Sequence, residues 1–122
     1  MAHHLLQVTY APEAWAVLVE EPQSRTETVQ LAVKQLGGRV HSTWLAFGEY
    51  DVIIIFELPD NVRATAISMA ISAGGAVKAI KTTPLMTWEE GVEAMREAVQ
   101  AAYQPPIGVF RRVGSENRER RP

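Results

Sequence analysis

Apolar and polar residues follow one another in blocks along the chain, and the longest apolar block lies near its middle. Residues 52–56 are five consecutive apolar residues, most of them β-branched, and a proline closes the block shortly afterwards. Such a run is typical of a strand rather than a helix. Because side chains alternate across a strand, Ile54 and Phe56 are predicted to face one way and Ile53 and Ile55 the other. Both faces of this strand therefore need a cover.

The pattern on either side predicts three further strands and four helices. Two Ser/Thr-x-x-Glu capping boxes, Ser24–Glu27 and Thr87–Glu90, mark helix starts, and the glycine pairs 37–38 and 74–75 mark helix ends. The strands are predicted at residues 4–10, 39–47 and 76–86. The helices are predicted at residues 12–20, 24–36 and 62–73, and from residue 88 to the proline pair 105–106.

This order predicts an α+β fold of the ferredoxin-like type, β-α-β-β-α-β, with an added C-terminal helix. The sheet of such a fold has four antiparallel strands and carries its helices on one face. The other face of residues 52–56 would then be bare, and an apolar face of that size is an association surface. We therefore expect a homodimer or higher oligomer that forms through the sheet face.

The second and third strands are predicted to form a tight hairpin through Gly48-Glu49. That turn would align four cross-strand pairs on one face. The pairs are Phe47 with Tyr50, Leu45 with Val52, Thr43 with Ile54, and His41 with Phe56. The same register would place Trp44 on the other face together with Asp51.

Composition and charge restrict the possible functions. The 122 residues suit a single domain, and the chain has no cysteine, which excludes disulfides and thiolate chemistry. The sequence shows no secretory signal and no membrane-spanning run, so a cytoplasmic protein with no membrane partner is expected.

The charge is unevenly distributed along the chain. Five arginines and two glutamates give residues 111–122 a net charge of +3, which leaves −5 for residues 1–110. An acidic body does not suit a phosphate-binding surface, so no nucleic-acid partner is expected. We expect residues 107–122 to dock on an adjacent subunit instead.

Several short motifs resemble the GYD domain family between about residues 5 and 87. They are Tyr10 with Pro12, Pro22 with Arg25, Leu36-Gly37-Gly38, Gly48-Glu49-Tyr50-Asp51, Pro59-Asp60, and Gly75-Ala76-Val77 leading to Thr82. The resemblance implies a dimeric α+β-barrel assembly, similar to the effector-binding domains of leucine-responsive-type regulators. No helix-turn-helix pattern is present, so a DNA-binding regulator is not implied. On this basis residues 1–103, including the last helix, form the GYD-like domain, and residues 104–122 form an arginine-rich extension.

Tyr50 and Asp51 are the first candidates for a site, because they follow a glycine turn at the mouth of the hairpin. A phenol and a carboxylate there can bind a small polar ligand or exchange a proton. An aspartate after such a turn also commonly accepts backbone N–H groups and fixes the hairpin.

His41, Trp44 and Tyr10 complete the candidate set. A histidine can act as a general base or as a metal ligand, but no further ligand is spaced beside His41 and His3 and His4 are expected to be loose, so no metal site is predicted. Trp44, Trp15 and Tyr10 can line an aromatic pocket, although tryptophan in a small domain more often fills the core, and we expect that role for Trp15.

The sequence favours a ligand-binding or regulatory module over an enzyme. No phosphate-binding glycine loop and no nucleophile motif is present, so no cofactor is expected. The leading hypothesis is a small homo-oligomeric module with a pocket near the Gly48–Asp51 turn and a small-molecule ligand. One alternative is a cofactor-free enzyme acting on a hydrophobic or aromatic metabolite, with Tyr50, Asp51 and His41 as acid–base groups. The other alternative is a purely structural assembly unit.

Overall fold

The structure is a computed structural model and describes residues 1–106 of the chain. It contains two compact units, Met1–Met86 and a second that begins at Thr87. The strands are β1 (Ala2–Tyr10), β2 (Arg39–Leu45), β3 (Val52–Leu58) and β4 (Val77–Leu85). The first unit also contains the helices α1 (Pro12–Glu20), α2 (Thr26–Gln35) and α3 (Asn61–Ala73), and the second contains α4 (Trp88–Val99).

The four strands form one sheet in the order β2-β3-β1-β4, and all neighbouring strands are antiparallel. This order places the two edge strands beside a central β3–β1 pair, as in a ferredoxin-like fold. The predicted α+β class and antiparallel four-stranded sheet are therefore confirmed. Among the described helices, none has the length and apolar character that crossing a bilayer requires.

One face of the sheet builds the core together with α2 and α3. Ile54 and Phe56 of β3 are 2% and 0% exposed, which confirms the predicted alternation along that strand. Each such side chain stabilises the fold by about 1.5–3 kcal/mol through burial. The other buried apolar residues are Leu6 and Val8 of β1, Leu58 of β3, Val33 of α2, and Ala64 and Ile67 of α3.

We call the opposite side of the sheet the open face. Leu5 of β1 pairs with Ile55 of β3, and Ile53 pairs with Gln7, so these four side chains share that face. All four are half-buried. The residues of α1, α2 and α3 that contact the sheet lie on the other side, with Leu6, Val8 and Ile54. The open face is therefore uncovered by the helices of the first unit.

The hairpin between β2 and β3 differs from the prediction at both ends. Leu45 does pair with Val52 and Thr43 with Ile54, but the strands stop there and residues 46–51 form a longer connection than the predicted two-residue turn. At the other end a β-bulge at His41 shifts the register. Phe56 therefore pairs with Val40, and the predicted His41–Phe56 pair is wrong.

Gly38 allows the chain to pass close to β3 after α2. A Cβ atom at this position would lie 1.9 Å from the backbone oxygen of Glu57 and 2.7 Å from a methyl carbon of Leu58. Gly37 just before it has the left-handed φ of 87° that the predicted helix stop requires. The glycine pair therefore brings the start of β2 against the end of β3.

Of the two predicted capping boxes, one forms and the other does not. The Thr87–Glu90 capping box forms, with Thr87 Oγ1 accepting from Glu90 N–H and Glu90 Oε1 accepting from Thr87 N–H. The predicted box at Ser24 does not form, because Ser24 Oγ accepts from Thr26 N–H and α2 begins at Thr26.

The last helix is shorter than predicted. It ends at Val99 instead of continuing to the proline pair, and Ala102, with a positive φ of 51°, lies outside it. The division at residues 103/104 stays a prediction, and the predicted docking of residues 107–122 lies outside the described residues.

The N-terminal histidines were expected to be loose, and that expectation is wrong because both lie in β1. His4 is 2% exposed and stacks on Phe56 with 5.6 Å between ring centroids. Among the described residues neither of its ring nitrogens has a hydrogen-bond partner. A buried imidazole without partners is costly to the fold.

Replacing His4 with leucine is therefore expected to stabilise the protein. An unsatisfied buried polar group costs about 1–3 kcal/mol, and leucine has a similar volume without the polar atoms. Urea denaturation of wild type and His4→Leu measures the difference. A lower free energy of unfolding for His4→Leu would contradict this prediction.

Candidate functional site

A large cleft lies between the sheet and the three helices of the first unit. It has a volume of about 560 Å³. α1 contributes no fully buried side chain, so the space between this helix and the sheet is incompletely filled. The small residues Ala14, Ala32, Ala70, Gly74 and Ala76 leave further room along its walls.

The cleft is lined mainly by aliphatic side chains from all the surrounding elements. Its floor includes Val8 of β1 and Ile54 of β3. The further aliphatic walls are Val17 and Leu18 of α1, Val29 of α2, Ile67 and Ile71 of α3, Val52 of β3 and Val77 of β4. An apolar ligand body would therefore contact aliphatic side chains of both the sheet and the helices.

Four polar side chains line the same cleft: Tyr10, Gln23, Arg25 and Thr28. Gln23 and Arg25 belong to the connection between α1 and α2, and Arg25 donates to the Gln23 side-chain oxygen at 3.5 Å. The cleft thus combines an apolar interior with a cation, an amide and two hydroxyl groups.

A second opening of about 440 Å³ adjoins the first, since both are lined by Tyr10, Leu18 and Arg25. Trp15 and Trp44 line this second space. Near it, Thr26 of α2 and Thr43 of β2 are joined by a hydroxyl–hydroxyl hydrogen bond of 3.0 Å. The aromatic pocket predicted from Tyr10, Trp15 and Trp44 stays a prediction, because Trp44 is 63% exposed and pairs with Ile53 of the open face.

Asp51 lies beside the cleft and is occupied by structural hydrogen bonds. Its Oδ2 accepts from the backbone N–H of Tyr10 at 2.9 Å and from Trp15 Nε1 at 3.3 Å. Its own N–H donates to Val8 O, and its carbonyl accepts from Ala46 N–H. The carboxylate accepts a backbone N–H, as predicted, but the donor is on β1 rather than within the hairpin.

Tyr10 places its phenol in the cleft, where its ring meets Trp15 edge to face at 5.4 Å between centroids. Burial raises the pKa of Tyr10, the nearby Arg25 opposes that rise, and the negative charge of Asp51 adds to it. The phenol is therefore neutral near pH 7 and able to donate a hydrogen bond.

The remaining predicted residues are not brought to the cleft. Tyr50 is half-buried but lines neither of the two openings. His41 lies beside Glu57, whose side chain shares the open face with Ile53 and Ile55. Tyr50, Asp51 and His41 are therefore not assembled around one reactive position, contrary to the acid–base set predicted for an enzyme.

Sequence reasoning missed Arg25 and Gln23 as site residues. Arg25 appeared there only as part of a motif shared with a family, and Gln23 had no distinguishing feature. The one available signal was a polar segment, residues 23–26, between two helices with apolar faces.

The fold and the cleft together define an α+β domain with a ferredoxin-like sheet and a cavity beneath its helices. The GYD domain model matches residues 4–95, which is most of the chain, so the protein belongs to the GYD domain family. No curated protein matches the chain.

Two solved structures are similar to parts of the chain. One is the crystal structure of FFRP-DM1, with 16% identity and a TM-score of 0.44, covering 70% of this chain and 100% of the other. The other is TTHA0845 from Thermus thermophilus, with 15% identity and a TM-score of 0.47, covering 71% of this chain and 95% of the other.

The Tyr10 environment predicts how stability depends on alkaline pH. The folded state binds the phenol proton more tightly than the unfolded state, because the folded pKa is raised above the ordinary value of about 10. This contribution to the free energy of unfolding is complete below pH 10 and is lost as pH rises through the folded pKa.

Urea denaturation between pH 8 and 11 tests this prediction. Tyr10→Phe should lose less stability than wild type above pH 10. Tyr103→Phe, which removes an exposed phenol, is the control and should behave as wild type does. Identical slopes for wild type and Tyr10→Phe would contradict the prediction.

Proposed function

We propose that this GYD-domain protein is a small-molecule-binding module whose site is the cleft between the sheet and α1, α2 and α3. The observation that carries the proposal is the cleft itself. Its volume of about 560 Å³ lies within the roughly 300–1,000 Å³ of ligand pockets, and its lining is mainly apolar with a few polar groups. A regulatory role for the bound ligand is part of the same proposal.

The polar groups indicate the ligand's chemical class. Arg25 supplies a guanidinium, which pairs with a carboxylate through two parallel hydrogen bonds. The neutral Tyr10 phenol and the Gln23 amide supply further donors at the same cleft. We therefore propose a ligand with an apolar, aromatic-sized body and an anionic head.

The two alternatives from the sequence have less support. An enzyme with Tyr50, Asp51 and His41 as acid–base groups needs these side chains together, but Asp51 is engaged by Tyr10 and Trp15, and His41 lies with Glu57. A purely structural unit would have its interior filled by side chains. The cleft favours ligand binding over both.

We also propose that the protein forms a homodimer through the open face. Leu5, Ile53 and Ile55 present an apolar strip there, and the helices of the first unit cover the other face. Packing a second sheet against this strip would remove its apolar side chains from water, and that burial would stabilise the dimer. A cytoplasmic location and the lack of a nucleic-acid partner stay predictions.

Ligand binding can be tested with 2-naphthoate as the probe and neutral 2-naphthylmethanol as its uncharged counterpart. Calorimetry is expected to show tighter binding of the carboxylate by wild type. Arg25→Gln should weaken 2-naphthoate binding by about 10-fold or more, because a hydrogen bond to a charged group contributes about 1.5–3 kcal/mol. The alcohol should be nearly unaffected by the same change.

Matched variants distinguish binding in the cleft from binding elsewhere on the protein surface. Ala70→Phe places a ring into the cleft and should abolish binding, whereas Ala73→Phe adds the same ring to an exposed position of α3 outside the cleft lining. Arg63→Gln removes an exposed arginine that does not line the cleft, and it should bind as wild type does. Equal binding by Ala70→Phe and Ala73→Phe would overturn the proposed site.

Dimerisation is tested on the open face by Ile55→Lys. A lysine there would be desolvated in a sheet-to-sheet interface, so light scattering should show monomers. Val62→Lys is the control, because Val62 is an apolar residue of α3 that is 78% exposed. Ile54→Lys would instead unfold the protein, since Ile54 is in the core. A wild-type monomer at micromolar concentration would contradict the dimer.

A further inference from the structure

Three metal-ligating side chains meet on the open face at one end of the sheet, away from the cleft. They are His3 of β1, His41 of β2 and Glu57 of β3. One ligand atom from each lies within 4.8 Å of the other two. His41 Nε2 hydrogen-bonds to Glu57 Oε2, and His3 Nε2 lies 3.8 Å from the same oxygen.

The backbone positions these side chains in two different ways. His3 is the direct cross-strand partner of Glu57 in the β1–β3 ladder, so their side chains share a face. His41 reaches the same place through the β-bulge between Val40 and Ser42. Bulges redirect a side chain relative to the regular alternation of a strand.

The cluster combines one buried ligand side chain with two that solvent reaches. The Glu57 side chain is 11% exposed, whereas the two histidine side chains are 37% exposed and open to an arriving ion. The imidazole rings lie 5.0 Å apart with an angle of 31° between their planes. The Nε2 atom of each ring is the one nearest to Glu57 Oε2, by a hydrogen bond for His41 and at 3.8 Å for His3.

We propose that His3, His41 and Glu57 bind a divalent transition-metal ion of the Zn²⁺ type. Two imidazoles and one carboxylate are an established ligand set for zinc and leave a fourth position for water or another ligand. Bonds of about 2.0–2.1 Å in a tetrahedral site place ligand atoms roughly 3.3–3.5 Å apart. The 3.8 Å between His3 Nε2 and Glu57 Oε2 is close to that spacing, whereas His41 Nε2 has to move away from the oxygen to admit an ion between them.

Arg39 is the competing partner of the carboxylate. Its Nε donates to Glu57 Oε2 at 2.9 Å, and this oxygen would have to be released for a metal ion. The Arg39 side chain is 70% exposed, so it can leave toward solvent without unpacking the core. Removing Arg39 should therefore strengthen metal binding, because it removes both a donor and a positive charge.

An alternative interpretation treats the cluster as an ion-pair network that only fastens the end of β2 to β3 and β1. The two interpretations differ in their response to metal and to Arg39. A network loses a partner when Arg39 is replaced, whereas a metal site loses a competitor.

The test uses the full chain after dialysis against a chelator. Zn²⁺ is titrated by calorimetry, and Co²⁺ is added as a spectroscopic probe whose visible absorption reports a low-coordinate site. Wild type should bind one Zn²⁺ per chain and show the Co²⁺ absorption. His3→Ala, His41→Ala and Glu57→Gln should each weaken binding by more than the roughly 10–100-fold that is lost when a residue hydrogen-bonded to a metal ligand is replaced.

Two further variants serve as a control and as a test of the competition from Arg39. His4→Leu removes the neighbouring histidine on the other face of β1, so it should bind Zn²⁺ as wild type does. Arg39→Gln should bind more tightly than wild type. Circular dichroism of each metal-free variant verifies that it is folded, so a loss of affinity reports the site and not the fold.

Specific outcomes would overturn the proposal. One is that wild type does not bind Zn²⁺ in a saturable way. Another is that binding disappears in His3→Ala but persists in His41→Ala and Glu57→Gln, which would assign the ion to the N-terminal segment alone. Weaker binding by folded Arg39→Gln would also contradict the proposed competition. None of these results bears on the cleft, which is lined by other residues.

Discussion

The arrangement around the cleft depends on the hydrogen bonds that the Asp51 carboxylate accepts. One of its oxygens accepts from the backbone of Tyr10 and from the indole of Trp15, and so joins the start of β3 to the end of β1 and to α1. The main chain of Asp51 bonds to Val8 and Ala46 at the same level. Hydrogen bonds to a charged acceptor are about twice as strong as neutral ones. This single residue therefore holds one wall of the cleft in place.

α1, which forms part of that wall, is packed less tightly than the other two helices of the first unit, since Val33 of α2 and Ala64 and Ile67 of α3 are buried. α1 has no fully buried residue, and no side chain caps its N-terminus at Ala11. Regions with little buried apolar surface open at the lowest free-energy cost. α1 is thus the helix of the first unit with the lowest expected cost of local opening, and the hydrogen bond from Trp15 to Asp51 opposes that opening. The cleft follows from this incomplete packing of α1 against the sheet.

The two faces of the sheet carry two different kinds of chemistry because of strict alternation along β1 and β3. The face of Leu6 and Ile54 meets the helices and supplies the apolar floor of the cleft. The face of Leu5 and Ile55 is uncovered by those helices and ends in the cluster of His3, His41 and Glu57. A one-residue slip would exchange these faces, so the register that packs the core also assembles the cluster.

The sequence by itself determined the element order, the antiparallel sheet and the two-sided character of β3, because these follow from local apolar periodicity and from glycine and proline stops. It also indicated that Asp51 accepts backbone N–H groups. It did not show that His3 and Glu57 approach His41, since that contact depends on long-range strand pairing and on a bulge with no sequence signal. Nor did it identify Arg25 as part of a cleft. Only the tertiary structure decided these positions, because they depend on which segments pack together and on where the packing is incomplete.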